Sequence, residues 1–215
     1  MKTAFKVLLM FWAVFCLGAG AGLAADEKEI LAVSLAGKVR IDGILDEPAW
    51  QGPGRSDFVQ SDPVDGSAPS ERTTVWLAFD EKALYVAARL DDTQAGQVVA
   101  PLARRDNLVS YHDELEDSDW FEFSVDPYFD RVTGFHFAVN PVGSIADATL
   151  QNDTWLDYSW DGVWGSAARI DDRGWTVEMR IPFDQLRFAD RQDPVWGVNF
   201  RRTIKRKNEK DSFVW

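Results

Sequence analysis

The chain has 215 residues, with 35 acidic side chains against 23 basic ones and a formal net charge of −12. That balance excludes a nucleic-acid surface and a grip on anionic membrane, both of which need clustered cations, and it suits solubility, divalent cations or neutral ligands. A single cysteine, Cys16, excludes a disulfide-stapled scaffold, so the fold has to rest on a core of adequate size.

Residues 1–24 have the three-part pattern of an export signal: Lys2 and Lys6, the apolar run from Val7 to Leu17, then small residues. That apolar run is well short of the ~20 residues needed to cross a bilayer, so a retained anchor is the weaker reading. Gly22 and Ala24 predict cleavage after Ala24. Phe15 before Cys16 does not fit a lipoprotein signal. Loss of Lys2 and Lys6 would take the charge from −12 to −14. The expected location is the periplasm or the cell exterior, with association to the outer membrane as an option.

Residues 25–38 are expected to form a charged tail and an edge strand, from the alternation over Ile30 to Val39. Ile41 to Trp50 predicts a turn with a short helical piece that brings Trp50 inward. Gly52 to Pro69 is rich in turn formers and predicts a loop anchored by Phe58. Val75, Leu77 and Phe79, then Leu84, Val86, Ala88 and Leu90, predict a hairpin around Asp80-Glu81-Lys82. Residues 93–117 are the least regular stretch and carry the acidic run Asp113 to Asp117.

The most informative stretch is Ser118 to Gly143. Phe121, Phe123 and Val125 alternate with Trp120, Glu122 and Ser124, and Phe135, Phe137 and Val139 alternate with His136, Ala138 and Asn140. Successive strand side chains point to opposite faces, so each strand offers one apolar face to a core and one mixed face to a ligand. Beyond it, Ser144 to Leu150 predicts a strand and Gln151 to Gly162 an aromatic loop. Val163–Ile170 and Trp175–Ile181 predict a hairpin around Asp171 to Gly174. Pro182 should end that strand, with one helical turn over Phe183 to Phe188. A strand over Val195 to Ile204 and another from Asp211 onward complete the chain. About ten short strands without a long amphipathic helix predict an all-β, antiparallel, jelly-roll-like sandwich. A last strand ending on Trp215 predicts that the domain is the front portion of a longer protein.

Several phrases resemble carbohydrate-binding module family 9: Ile41-Asp-Gly with Leu45-Asp-Glu and Trp50, Leu84-Tyr-Val86 with Asp91-Asp92, Asp119-x-x-Glu-Phe-x-x-Asp126, Thr133-Gly-Phe135 through Asn140, Gly174-Trp-Thr-Val-Glu178 and Trp196-Gly-Val-Asn199. They run in order over residues 39–215, and the arrangement is similar to exported bacterial proteins in which such a module precedes a barrel-like C-terminal region. The resemblance implies a non-catalytic sandwich that holds a glucan or xylan chain end, with calcium bolstering its loops. It implies sugar contacts at Asp92, Glu122 and Arg201, the last in place of a glutamine. Ala138 stands where the family has an arginine, Glu116 stands near one stacking tryptophan, and the other would fall beyond residue 215. The partner implied is a polysaccharide, or else an outer-membrane β-barrel with the sugar site lost.

The residues themselves allow both readings. Sugars need flat aromatic faces beside a few placed polar groups. Trp76, Trp164, Trp175 and Trp196 fall inside strand patterns and are expected in the core, whereas Trp120, Trp155 and Trp160 are candidate platforms or simple packing. Arg201 and Glu122 would pair if their strands are neighbours. The segments Asp113–Asp119 and Asp126–Asp130 are the candidate calcium ligands, against a bland reading as solvated turns. Axial ligation of haem by His136 and Met179 would require the two to converge. No nucleophile elbow, phosphate loop or zinc-peptidase motif is present, so no catalytic residue is assigned.

Overall fold

The computed structural model describes residues 5–8, 28–106, 117–152, 155–188 and 195–214, the first of these by backbone alone. The strands, numbered along the chain, are β1 (Phe5–Leu8), β2 (Glu29–Ser34), β3 (Val59–Asp62), β4 (Thr73–Phe79), β5 (Ala83–Asp91), β6 (Trp120–Asp126) and β7 (Thr133–Val139). There follow β8 (Ile145–Gln151), β9 (Trp155–Asp157), β10 (Gly165–Asp171), β11 (Gly174–Pro182), β12 (Gly197–Ile204) and β13 (Glu209–Ser212). They make a six-stranded sheet, β1-β2-β4-β5-β11-β10, and a seven-stranded sheet, β3-β13-β12-β6-β7-β8-β9. Every ladder is antiparallel except β2 beside β4. The all-β sandwich expected from the alternation is what forms, with more strands than ten. The additions are short: β3 and β9 lie in segments that composition marks as loop, and β1 lies within the expected leader.

The inward faces are those the alternation selects. Phe121, Phe123, Phe137, Phe200, Trp175 and Met179 are buried in one cluster between the sheets. Phe123 sits opposite both Phe200 and Phe137 in the ladders, with ring centroids 5.3 and 6.5 Å away. Each such side chain contributes roughly 1.5–3 kcal/mol by leaving water. Phe58 anchors the loop ahead of β3 by lying 5.5 Å from Phe213. The β10–β11 turn needs Gly174, whose φ is +132° and whose missing Cβ would stand 2.1 Å from the Leu90 carbonyl oxygen.

Segments outside the sheets fix the rest. Trp50, with Leu35, Val39, Ile41 and Leu45, packs over Ala78, Tyr85 and Ala87 on the outer face of the first sheet. Glu178 of β11 holds this flap: its carboxylate accepts from the Asp42 and Gly43 N–H groups at 3.0 and 2.9 Å and from Trp50 Nε1 at 2.9 Å. At one end of the sandwich Arg202 reaches from β12 across the interior to the carbonyls of Arg72 and Asp91 and to Thr73 Oγ1. Met179 lies in the core and His136 does not belong to that cluster, so the two do not share one pocket.

Candidate functional site

The mixed face of β6 and β7 lies on the outside of the second sheet, away from the core. Its register is set by three ladders: Glu122 faces Arg201 on β12 and Ala138 on β7, and Ser124 faces Asn199 and His136. Ala138 and His136 in turn face Ala146 and Ala148 on β8. Three alanines in adjacent strands leave little side-chain bulk over the middle of the sheet. Trp120 packs beside Ala138 and Ala146, with Tyr158 against that cluster.

The polar groups of this face are buried and largely unspent. Glu122 is 8% exposed at its side chain, and among the described residues its contacts are long ion pairs, 3.6 Å to His136 Nε2 and 3.8 Å to Arg201. Neither is short enough for a normal hydrogen bond. His136 is 3% exposed and has Ser124 Oγ at 3.0 Å from Nδ1, yet among the described residues its Nε2 has no hydrogen-bond partner. Trp120 is 1% exposed and its Nε1 likewise has no partner among the described residues. Burial pushes the His136 pKa down to about 4, with the nearby Glu122 carboxylate opposing that shift and Arg201 adding to it. The ring is therefore neutral above that pH. Arg201, 48% exposed at its side chain, stands at the rim. The alternation put Trp120, Glu122 and His136 on the mixed face and the family resemblance pointed to Glu122 and Arg201; neither singled out His136 as a ligand contact, since its place beside Glu122 depends on the β6–β7 register.

The other residues suggested by sequence lie elsewhere. Asp92 is buried at the end of the sandwich, where both carboxylate oxygens accept from the Arg206 guanidinium at 2.6 and 2.7 Å and one also takes the Gln94 N–H. Its hydrogen-bonding capacity is committed internally. Trp160 packs on Phe135 and Phe137, 5.2 and 6.0 Å between ring centroids, and so joins the core side of the sheet. Trp155 is 61% exposed on edge strand β9, opposite Gln151, and that residue opposes Thr133 on the face shared with Phe135. Neither tryptophan shares the face that carries Glu122. Trp175 and Trp196 are buried in the core, with Trp164 packed against it, while Trp76 supports the flap on the opposite sheet.

The acidic segments proposed for calcium are arranged differently. Asp113 to Glu116 lie outside the described residues. Asp126 accepts from the Tyr128 and Arg131 N–H groups, and Asp130 from the Val132 and Thr133 N–H groups and the Thr133 hydroxyl. Those oxygens cap the β6–β7 turn. A separate trio, Asp106, Asp147 and Asp161, converges within 4.8 Å, but the Arg105 guanidinium stands among them, 2.6 Å from Asp147 and 3.2 Å from Asp161. A resident cation of the protein's own is a poor fit with calcium, which takes six to eight oxygens.

No protein-family model and no curated protein sequence matches the chain. Among solved structures it is similar to a carbohydrate-binding module of family 9 from Caldicellulosiruptor kristjanssonii in complex with cellotriose, with a TM-score of 0.53 and 18% identity over 84% of this chain and 82% of that one. The same module in complex with glucose gives the same TM-score and identity. A structure from Bacteroides uniformis ATCC 8492, provisionally described as carbohydrate-binding, has a TM-score of 0.53 at 14% identity and covers 74% of this chain and 77% of that one. At these identities the likeness concerns architecture. The chain has the β-sandwich fold of the family 9 carbohydrate-binding module structures.

Proposed function

We propose that this protein is a non-catalytic carbohydrate-binding domain whose site is the outer face of β6, β7, β8 and β12. The observation that carries the reading is a pair of buried polar atoms on that face, the His136 Nε2 and the Trp120 Nε1, that have no hydrogen-bond partner among the described residues and lie on the same face as the Glu122 carboxylate. Buried polar groups are nearly always paired, so open ones on a face turned away from the core are candidates for pairing by a ligand or water. A saccharide supplies hydroxyls that both donate and accept. Glu122 at the base and Arg201 at the rim would hold those hydroxyls, and Trp120 Nε1 would donate to another. The chain ends of xylan or a glucan are the proposed ligands, with breakdown of the polysaccharide left to an associated glycoside hydrolase or larger protein. Export after cleavage behind Ala24 belongs to the same proposal.

The burial of Trp120 favours a second reading. A stacking platform needs an open ring, and the tryptophan on this face is covered. Under that reading the domain is an interaction module on the periplasmic side of an outer-membrane β-barrel, with no sugar bound. Isothermal titration with cello- and xylo-oligosaccharides, with and without calcium, separates the two. Heat of binding that disappears in Glu122→Ala, at a melting temperature within a few degrees of the parent, supports the first. Absence of heat with every saccharide sinks it.

A further inference from the structure

The pair His136 and Glu122 has a geometry that restricts which sugar group can be bound between them. We propose that these two residues jointly read one sugar hydroxyl, which accepts a hydrogen bond from His136 Nε2 and donates one to Glu122; this rests on the carbohydrate reading above and assigns to His136 the role of a specificity-determining residue.

The neighbours of the imidazole decide where its proton sits. His136 Nδ1 has the Ser124 hydroxyl at 3.0 Å, and its Nε2 faces the Glu122 carboxylate. A carboxylate beside Nε2 stabilises a proton there, so Ser124 donates to Nδ1 and Nε2 carries the hydrogen. Ser124 acts as a positioning residue that fixes both the tautomer and the ring angle. The groups facing the ring are Glu122 from β6, Arg201 from β12 and Tyr158 after β9, whose ring centroid is 6.4 Å away in an edge-on arrangement.

The separation then selects the ligand group. At 3.6 Å the Nε2 and the Glu122 oxygen are too far apart to bond directly, and an oxygen roughly 2.8 Å from both would bridge them once the side chains that cover Nε2 move aside. That oxygen must accept from one side and donate to the other. A hydroxyl does both. A fluorine or an ether oxygen accepts only, and a deoxy position does neither. Ala138 and Ala148, across from Glu122 and His136 in the ladders, carry no side-chain group that would compete for the position. Loss of a hydroxyl from a site built to bond it leaves buried polar groups unpaired, which is where discrimination becomes large.

The test uses the intact chain and isothermal titration with cellobiose and xylobiose, followed by their monodeoxy and deoxyfluoro analogues. At one ring position both analogues should bind about tenfold or more weakly than the parent sugar. His136→Phe should weaken the parent sugar by a similar factor and erase the difference between parent and analogues at that position. Affinity of the unmodified protein should stay level between pH 5.5 and 8, because the ring is neutral throughout. A parent sugar that binds His136→Phe as tightly as wild type overturns the proposal and indicates that the gap holds only a bridging water. If that variant fails to fold, the analogue series on wild type still decides: no position at which fluorine is rejected overturns it. Absence of binding by any saccharide defeats the carbohydrate reading itself, whereas binding that depends on Glu122 but not on His136 defeats only this assignment.

Discussion

Glu178 is the residue whose role is most local and most complete. It is fully buried and takes three N–H donors from the Asp42–Gly43 turn and Trp50, while Thr176 Oγ1 donates to the Gly43 carbonyl at 2.6 Å. Gly43 has φ of +78°, and a Cβ there would meet the Ala168 carbonyl carbon at 3.1 Å. Glu178→Ala strips three donors of their acceptor and opens a cavity, so urea unfolding should show a loss of roughly 3 kcal/mol or more. Gly43→Ala should cost about 1–2 kcal/mol through its backbone conformation alone. The phrases Ile41-Asp-Gly43, Trp50 and Gly174-Trp-Thr-Val-Glu178 are thus two halves of one clamp. Their spacing along the chain was visible; that they meet was not.

Asp211 makes the stability of the fold depend on pH. It is fully buried, and burial together with the nearby Glu209 carboxylate pushes its pKa up to about 7 against the pull of Arg202. Below the unfolded carboxyl pKa, near 3.9, both states hold the proton. As pH rises from there to about 7 the unfolded chain has released a proton that the folded chain keeps, so this group lowers stability progressively until about pH 7 and by a constant amount above it. Glu178, pushed up to about 7 by burial, acts in the same direction. His136, pushed down to about 4, acts oppositely and adds stability as pH rises toward about 6.5. Asp211→Asn isolates one contribution: its melting temperature relative to wild type should climb between pH 5 and pH 8. A difference that is flat with pH would contradict the assignment.

At the scale of elements, edge and core strands separate the tryptophans. Trp155 sits on β9, three residues long and at the margin of its sheet, whereas Trp160, only five positions on, wedges against Phe135 and Phe137. Trp155→Ala should change stability by no more than about 0.5 kcal/mol, and Trp160→Ala should cost about 3–5 kcal/mol. Thermal melts of the two variants check this directly. Both residues lie in one polar, aromatic segment whose composition says loop. Nothing in that segment tells which ring turns inward, since irregular backbone lacks the two-residue period that orients side chains in a strand. Within β6 and β7 the period is present, and the inward set Phe121, Phe123, Phe137 and Val139 was legible in full.

For the molecule as a whole, the two sheets are tied at one end by charge and in the middle by apolar packing. Arg202 is buried among Asp211, Asp92, Asp119 and Glu71 and donates to carbonyls of the opposite sheet, while Arg206 is held by Asp92 and Lys207 by Glu71. Arg202→Ala would leave several buried carboxylates without their counter-charge, and the expected loss is about 3–5 kcal/mol. Denaturant unfolding should show it as a lower midpoint with an unchanged slope. In the sequence Arg202 is one member of the basic run Arg201, Arg202, Lys205, Arg206 and Lys207 at the end of a strand. The fold turns Arg202 inward because it shares the face of Phe200 and Ile204 on β12.

What the sequence determined by itself is the class of fold and the division of each central strand into two faces. Both follow from local rules: alternation of side chains along a strand and the chemistry of turns, neither of which needs a distant partner. Only the tertiary structure decided what each polar residue on those faces is for. Asp92 went to an internal ion pair, Glu122 was left beside His136 with its hydrogen-bonding capacity open, and Glu178 closed a clamp on a turn well over a hundred residues away. Hydrogen bonds and ion pairs act over about 3–4 Å, and which groups come that close is set by strand order and register across the sheets.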